Sequence, residues 1–386
     1  MTVMPVRPDL IIWAREHRGL QLQEAADLLG ITAAELQQLE QGGKPLQLTM
    51  FRKLSSALRI PQATLLRRTR PNVQPLPRDF RSIAGRGALV GLQTRFAIDY
   101  ARTIAANVME LVESGIGPTT PVLPHLTRGE DAAEAGERER ERLGIPVINQ
   151  MAWPTKDAFN NWRALIERTG CFVLLQKFDV KECKGFALYD DQNTPIIMIS
   201  KAEEFDPAKT FTLIHEYCHL LLREPGISDQ NREDPVEAFC NKFAAAFLIP
   251  RAALRAVLPY WPTAPIEWSR HDLREWARQL KVSQQALALR LEEVGIAPRG
   301  YYSRIVAGQD KTAKPKTPGG NYVSTNAFEM GNRYALAVLN AEARGDIPAA
   351  EAAEMVQLAP QHFEQVREQA DRRFEFAGAV GGGVPH

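Results

Sequence analysis

Two histidines and the glutamate beside the first, His215, Glu216 and His219, have the types and spacing that could do chemistry. Positions four apart lie on one face of an α-helix, so the two imidazoles could bind one Zn²⁺. Glu216 would then lie close enough to activate a water at the open coordination position. The five-residue pattern alone fits a pair of satisfied core histidines equally well, so its context has to decide.

A catalytic zinc site also needs a third protein ligand. Four downstream carboxylates are candidates: Glu224, Glu233, Asp234 and Glu237. Glu237 opens a strongly apolar stretch that reads as a helix, and we expect it to face inward as the third ligand. Asn241 follows one turn later on the same face, where it could hydrogen-bond a ligating histidine. The alternative for Glu237 is a helix-start carboxylate favoured by the helix dipole.

Two further roles around this site stay open. Cys218 or Cys240 could supply a thiolate ligand, although Glu237 completes a better site. Peptide hydrolysis would also need a second donor for the developing oxyanion, and Tyr217 and His271 are candidates.

Three short apolar segments before the histidine helix predict the sheet that positions it. They are residues 171–175, 185–189 and 195–200, and turn residues at 190–193 predict a hairpin between the last two. The last strand could be an edge along which an extended peptide lies by strand addition. Upstream, residues 130–142 are densely charged and predict a solvated helix face.

The N-terminal part predicts a separate all-α domain. Residues 9–66 read as five short helices, with Thr32 and Glu35 forming a capping box at the start of the third. This rhythm is typical of a helix-turn-helix domain. The third helix is acidic, which opposes phosphate binding. The candidate DNA contacts are Gln37, Gln38, Arg52 and Lys53. A docking or dimerising module on the same fold is the alternative.

The expected organisation is α+β. An all-α helix-turn-helix domain is followed by a zincin-like domain with a small sheet and by a helical C-terminal region. We predict a first domain over 1–70, a Pro-rich linker over 71–90, a metallopeptidase domain over 91–265 and a helical subdomain over 266–307. A basic linker over 308–321 and a helical module with a disordered tail over 322–386 complete the chain.

Composition narrows the class of protein. The 386 residues carry a net charge of +1, so the overall charge argues neither for nor against nucleic acid. The four cysteines form no Cys-x-x-Cys pair, which favours a reducing compartment. No stretch predicts a signal peptide or a membrane span. We therefore expect a cytoplasmic protein of uncertain oligomeric state.

Three segments, 185–191, 211–222 and 237–250, resemble the ImmA/IrrE family of zinc metallo-endopeptidases. The preceding domain resembles the XRE type of helix-turn-helix, and the similarity covers roughly residues 9–300. The resemblance implies Zn²⁺ held by His215, His219 and Glu237, with Glu216 as general base. It also implies a protein substrate, a helix-turn-helix repressor or a toxin encoded nearby. The alternative is a DNA-binding regulator or antitoxin whose zincin domain serves as a sensor or binding scaffold.

Overall fold

The computed structural model describes residues 2–60, 62–70, 91–119, 122–189, 194–224, 226–227, 234–307 and 322–380. The chain divides into two compact units, Met1–Asp99 and Tyr100–His386. The predicted linkers at 71–90 and 308–321, the turn at 190–193 and the glycine-rich end lie outside the described residues. Within the described residues, no helix is long and apolar enough to span a membrane. The finer domain boundaries stay predictions.

The first unit contains five short helices within its described residues, as the sequence predicts. They are α1 Pro8–His17, α2 Leu22–Leu29, α3 Ala33–Glu40, α4 Leu48–Leu58 and α5 Gln62–Leu65. The predicted capping box opens α3. The Thr32 side chain accepts from the Glu35 backbone N–H at 3.2 Å, and the Thr32 N–H donates to the Glu35 carboxylate at 3.2 Å. Apolar residues from all five helices pack into one hydrophobic core.

The second unit is mostly helical around a small mixed sheet. Helix α6, Leu92–Glu113, crosses the division between the units. The strands are β1 Phe172–Gln176, β2 Gly185–Tyr189, β3 Pro195–Ser200 and β4 Gly226–Ile227. The helices up to the sheet and around the histidines are α7 Ala132–Arg142, α8 Val147–Ala152, α9 Ala158–Arg168, α10 Asp206–Leu222, α11 Pro235–Leu248 and α12 Arg251–Val257. The α+β class predicted from the sequence is confirmed.

The sheet order is β1-β3-β2-β4, so the prediction that residues 195–200 form an edge strand is wrong. β3 pairs in parallel with β1 and antiparallel with β2. Every residue of β3 is buried, as expected for a strand with neighbours on both sides and covered faces. An extended peptide cannot add to this strand.

Helix α10 carries the histidines and packs against the sheet, α9 and α11. Behind α11 lies α7, whose charged sequence predicted a solvated face. That prediction is wrong for Glu139 and Arg140, which are both buried. The Arg140 guanidinium donates to the Phe247 carbonyl at 2.9 Å, and the Tyr217 hydroxyl donates to Glu139 at 2.6 Å. Buried charges of α7 therefore bind the two helices of the site from behind.

The remaining helices follow the site. They are α13 Arg270–Gln279, α14 Gln284–Glu293, α15 Tyr301–Ala307, α16 Tyr322–Met330, α17 Asn332–Ala343, α18 Ala349–Val356 and α19 Phe363–Val380. The last four pack among themselves and against α9 and β1. Glu167 of α9 is buried there, lies 3.6 Å from Arg163 and accepts from the Asn332 backbone and side chain at 3.0 and 2.7 Å. The hydrogen bonds from Asn332 to this buried carboxylate thus join α17 to α9.

Candidate metal centre

Three predicted ligands converge between α10 and α11. The Nε2 atoms of His215 and His219 are 3.2 Å apart. The Glu237 carboxylate lies 3.2 Å from the first and 3.3 Å from the second, through different oxygens. All three side chains are buried. Positions four apart on α10 bring the imidazoles together, and the first turn of α11 places the carboxylate against both.

The outer ring nitrogens are held by hydrogen-bond partners, which leaves both Nε2 atoms directed at the centre. His215 Nδ1 lies 3.1 Å from the Asn241 side-chain oxygen, and His219 Nδ1 lies 3.1 Å from the Glu224 carbonyl. Such partners set the tautomer and orientation of metal-binding imidazoles. Asn241 is therefore the hydrogen-bond partner of His215.

The other carboxylate candidates have different positions. Glu224 contributes its carbonyl, while its carboxylate is 3.0 Å from Arg128. Asp234 caps α11 by accepting from the Val236 N–H at 2.8 Å. Glu233 lies outside the described residues.

The third ligand has two candidates by distance. The side chains of His215, His219 and Cys240 also offer ligand atoms within 4.8 Å of one another. Burial raises the pKa of the Cys240 thiol well above its usual value. Burial opposes ionisation of Glu237 as well, but the two imidazoles outweigh it and lower the pKa of that carboxyl to about 2. The imidazoles thus favour the ionised form of the Glu237 carboxyl. Two imidazoles with one carboxylate are a donor set suited to zinc.

Glu216 is buried and lines the same cavity as His215 and Glu237. Its position is limited by Gly185 at the start of β2. A Cβ added to Gly185 would lie 2.7 Å from Thr212 Cγ2, 2.9 Å from the Met198 carbonyl oxygen and 3.1 Å from Glu216 Cγ. Only glycine lets α10 approach the strand this closely. The contact with β2 therefore fixes the position of Glu216 on α10.

The cavity has a volume of about 520 Å³. Neither Tyr217 nor His271, the predicted oxyanion donors, lines it. The Tyr217 hydroxyl is directed to Glu139, because the residue after Glu216 falls on the face of α10 that meets α7. The sequence did not indicate Tyr302 of α15, which does line the cavity. No local pattern marks it, since its place depends on how α14 and α15 pack.

On the first unit, all four predicted DNA contacts are exposed: Gln37, Gln38, Arg52 and Lys53. The acidic residues of α3 form ion pairs with basic residues of the same unit. Glu40 is buried and accepts two hydrogen bonds from Arg15, at 2.7 and 3.1 Å. Glu35 caps the helix and lies 3.1 Å from Lys44. The outer face of α3 is therefore less acidic than the sequence indicated.

Comparison with known families agrees with this architecture. The Peptidase_M78 family model, described as the IrrE N-terminal-like domain, matches residues 166–292. A helix-turn-helix model matches residues 11–61. A search of curated proteins returns no match. The first match contains the sheet, both helices of the site and all of α14 except its last residue, and the second contains α2 and α3. The chain therefore carries an IrrE N-terminal-like domain of the Peptidase_M78 family, preceded by a helix-turn-helix domain.

Proposed function

We propose that this protein is a zinc-dependent endopeptidase. The observation that carries the proposal is the convergence of His215, His219 and Glu237, together with the cavity that His215, Glu237 and Glu216 line. The three converging side chains would hold the ion. When bound, Zn²⁺ would polarise the scissile carbonyl and make a water more acidic.

The chain's own residues supply the proton transfers. The Glu216 carboxylate would accept a proton from the attacking water and deliver it to the nitrogen of the leaving amine. Asn241 and the Glu224 carbonyl would keep the two imidazoles in orientation. Tyr302 lines the cavity, and its hydroxyl would donate to the developing oxyanion.

The substrate we propose is a protein, either a helix-turn-helix repressor or a toxin encoded nearby. The linkage of a helix-turn-helix domain and a peptidase-like domain in one chain supports this proposal. Cleavage of such a partner would change gene expression in a stress, phage or mobile-element response.

The test combines metal analysis with variants of Glu216. We expect one zinc per chain in the wild type, cleavage of the neighbouring repressor or toxin, and loss of cleavage in Glu216→Gln with the zinc retained. Glu204→Gln, at an exposed residue before α10, is the matched control and should cleave normally. Zinc binding without cleavage of any neighbour by the wild type would refute the peptidase.

A second candidate function is a DNA-binding regulator or antitoxin in which the zincin domain senses or binds a partner. The outer face of α3 favours it, because Glu40 is buried against Arg15 while Gln37 and Gln38 remain exposed. Glutamine can contact adenine in the major groove, and Arg52 and Lys53 could contact phosphate. Salt-dependent binding of promoter DNA that survives Glu216→Gln would support this function.

A further inference from the structure

The cavity beside the metal centre has a second set of lining residues, which come from α14 and α15. Ala286 and Leu289 of α14, and Tyr302, Val306 and Ala307 of α15, all line it. The matched family domain ends at residue 292, so α15 lies beyond it. The residues that α15 contributes to the cavity therefore come from a segment outside the matched domain.

Contacts on the buried side of helix α15 fix its position, so its exposed face is preorganised. Tyr301 and Ile305 are buried in the main core, and the Tyr301 hydroxyl donates to the Trp268 carbonyl at 3.2 Å. The Glu292 carboxylate accepts from the N–H groups of Gly300 and Tyr302, both at 2.9 Å. These contacts direct the face with Tyr302 and Val306 into the cavity.

The same face leaves apolar groups uncovered. Leu289 is half-buried, although its neighbours Leu287 and Leu291 are fully buried, and Val306 is 38% exposed. Among the described residues that line the cavity from α14 and α15, none carries a charge. Uncovered apolar side chains in a concave site are typical of a place where a ligand completes the packing.

The apolar face continues onto α10 at Phe211. Phe211 lines the cavity one turn before His215, and the two ring centroids are 6.5 Å apart. The apolar residues therefore share one cavity with two of the proposed zinc ligands, His215 and Glu237. A group that packs against Phe211 would lie beside the reacting centre.

We propose that Phe211, Leu289 and Val306 form a subsite for an apolar side chain of the substrate, of leucine or methionine size, next to the scissile bond. This inference rests on the proposed peptidase function. It names the substrate class as polypeptides cleaved beside a large apolar residue, since a charged side chain would be left unpaired against the uncharged residues that α14 and α15 contribute to the cavity.

Amino-acid hydroxamates test the subsite without a known substrate. The full-length zinc-loaded chain is titrated calorimetrically with glycine, leucine and aspartate hydroxamates. We expect leucine hydroxamate to bind about tenfold or more tightly than glycine hydroxamate, the discrimination typical of a hydrophobic pocket, and aspartate hydroxamate to bind no better than glycine. Leu289→Asp and Val306→Asp should bring the leucine-to-glycine ratio close to one, with zinc content unchanged.

Val122→Asp is the matched control, because Val122 is 92% exposed and does not line the cavity. It should keep the wild-type ratio. If either aspartate variant fails to fold, Leu289→Ala and Val306→Thr should lower the ratio in the same direction. Equal affinities in the wild type, no hydroxamate binding at all, or a leucine preference that persists in these variants would overturn the subsite. Leucine preference with zinc bound, but without Glu216-dependent cleavage, would instead refute only the peptidase.

Discussion

Replacing Gly185 with alanine should disable the site without removing its metal ligands. The added methyl carbon would meet the Met198 carbonyl oxygen at 2.9 Å and Thr212 Cγ2 at 2.7 Å. The Met198 oxygen belongs to β3, which is paired on both sides and cannot withdraw. The strain must therefore be relieved by α10, whose Glu216 Cγ lies 3.1 Å from the same position.

The expected size of the effect follows from these contacts. Inserting one methyl group into a close-packed region costs about 1–3 kcal/mol of stability. A displacement of a catalytic group by about 1 Å lowers the rate roughly 100-fold. For Gly185→Ala we expect kcat/KM to fall about 100-fold. Zinc stoichiometry should be unchanged, because the three atoms nearest to the added methyl group belong to none of the proposed ligands.

The assay compares cleavage of the identified protein substrate, zinc content and urea unfolding for the variant and the wild type. Gly129→Ala is the matched control, since a Cβ there meets nothing within 4 Å. It should change neither activity nor stability. If both variants cleave the substrate at the wild-type rate, the prediction is wrong and the close approach of β2 does not position Glu216.

Three further variants probe the site and the docking of the last helices. Asn241→Ala should weaken zinc binding about 10–100-fold in a chelator competition, because His215 loses the partner that orients it; unchanged affinity would remove Asn241 from the site. Tyr302→Phe should lower kcat roughly 100-fold with little change in KM if its hydroxyl stabilises the oxyanion, and an unchanged kcat would exclude that role. Glu167→Gln should cost about 3–5 kcal/mol in urea unfolding, because it leaves Arg163 buried without its carboxylate; a loss below about 1 kcal/mol would contradict this account.

Several features were readable from the sequence because they depend on local geometry. Residues four apart lie on one face of a helix, as His215 and His219 do. The capping box at Thr32 and Glu35 involves residues only three apart. The strand segments were found from short apolar runs of β-branched and aromatic residues. For the same reason Glu237 and Asn241, one turn apart on α11, could be assigned to a common face.

Only the tertiary structure decided the features that join distant segments. β3 is central because β1 pairs with it in parallel, and no local pattern encodes that partner. The acidic third helix was expected to oppose phosphate binding, but α1 brings Arg15 against Glu40 of that helix in a buried pair. Packing likewise directs Tyr217 away from the cavity and brings Tyr302 into it. The sequence alone determined the ligand spacing and the helix caps, since these depend on the backbone of one helix. The surroundings of the site were decided by long-range packing, which a linear pattern does not contain.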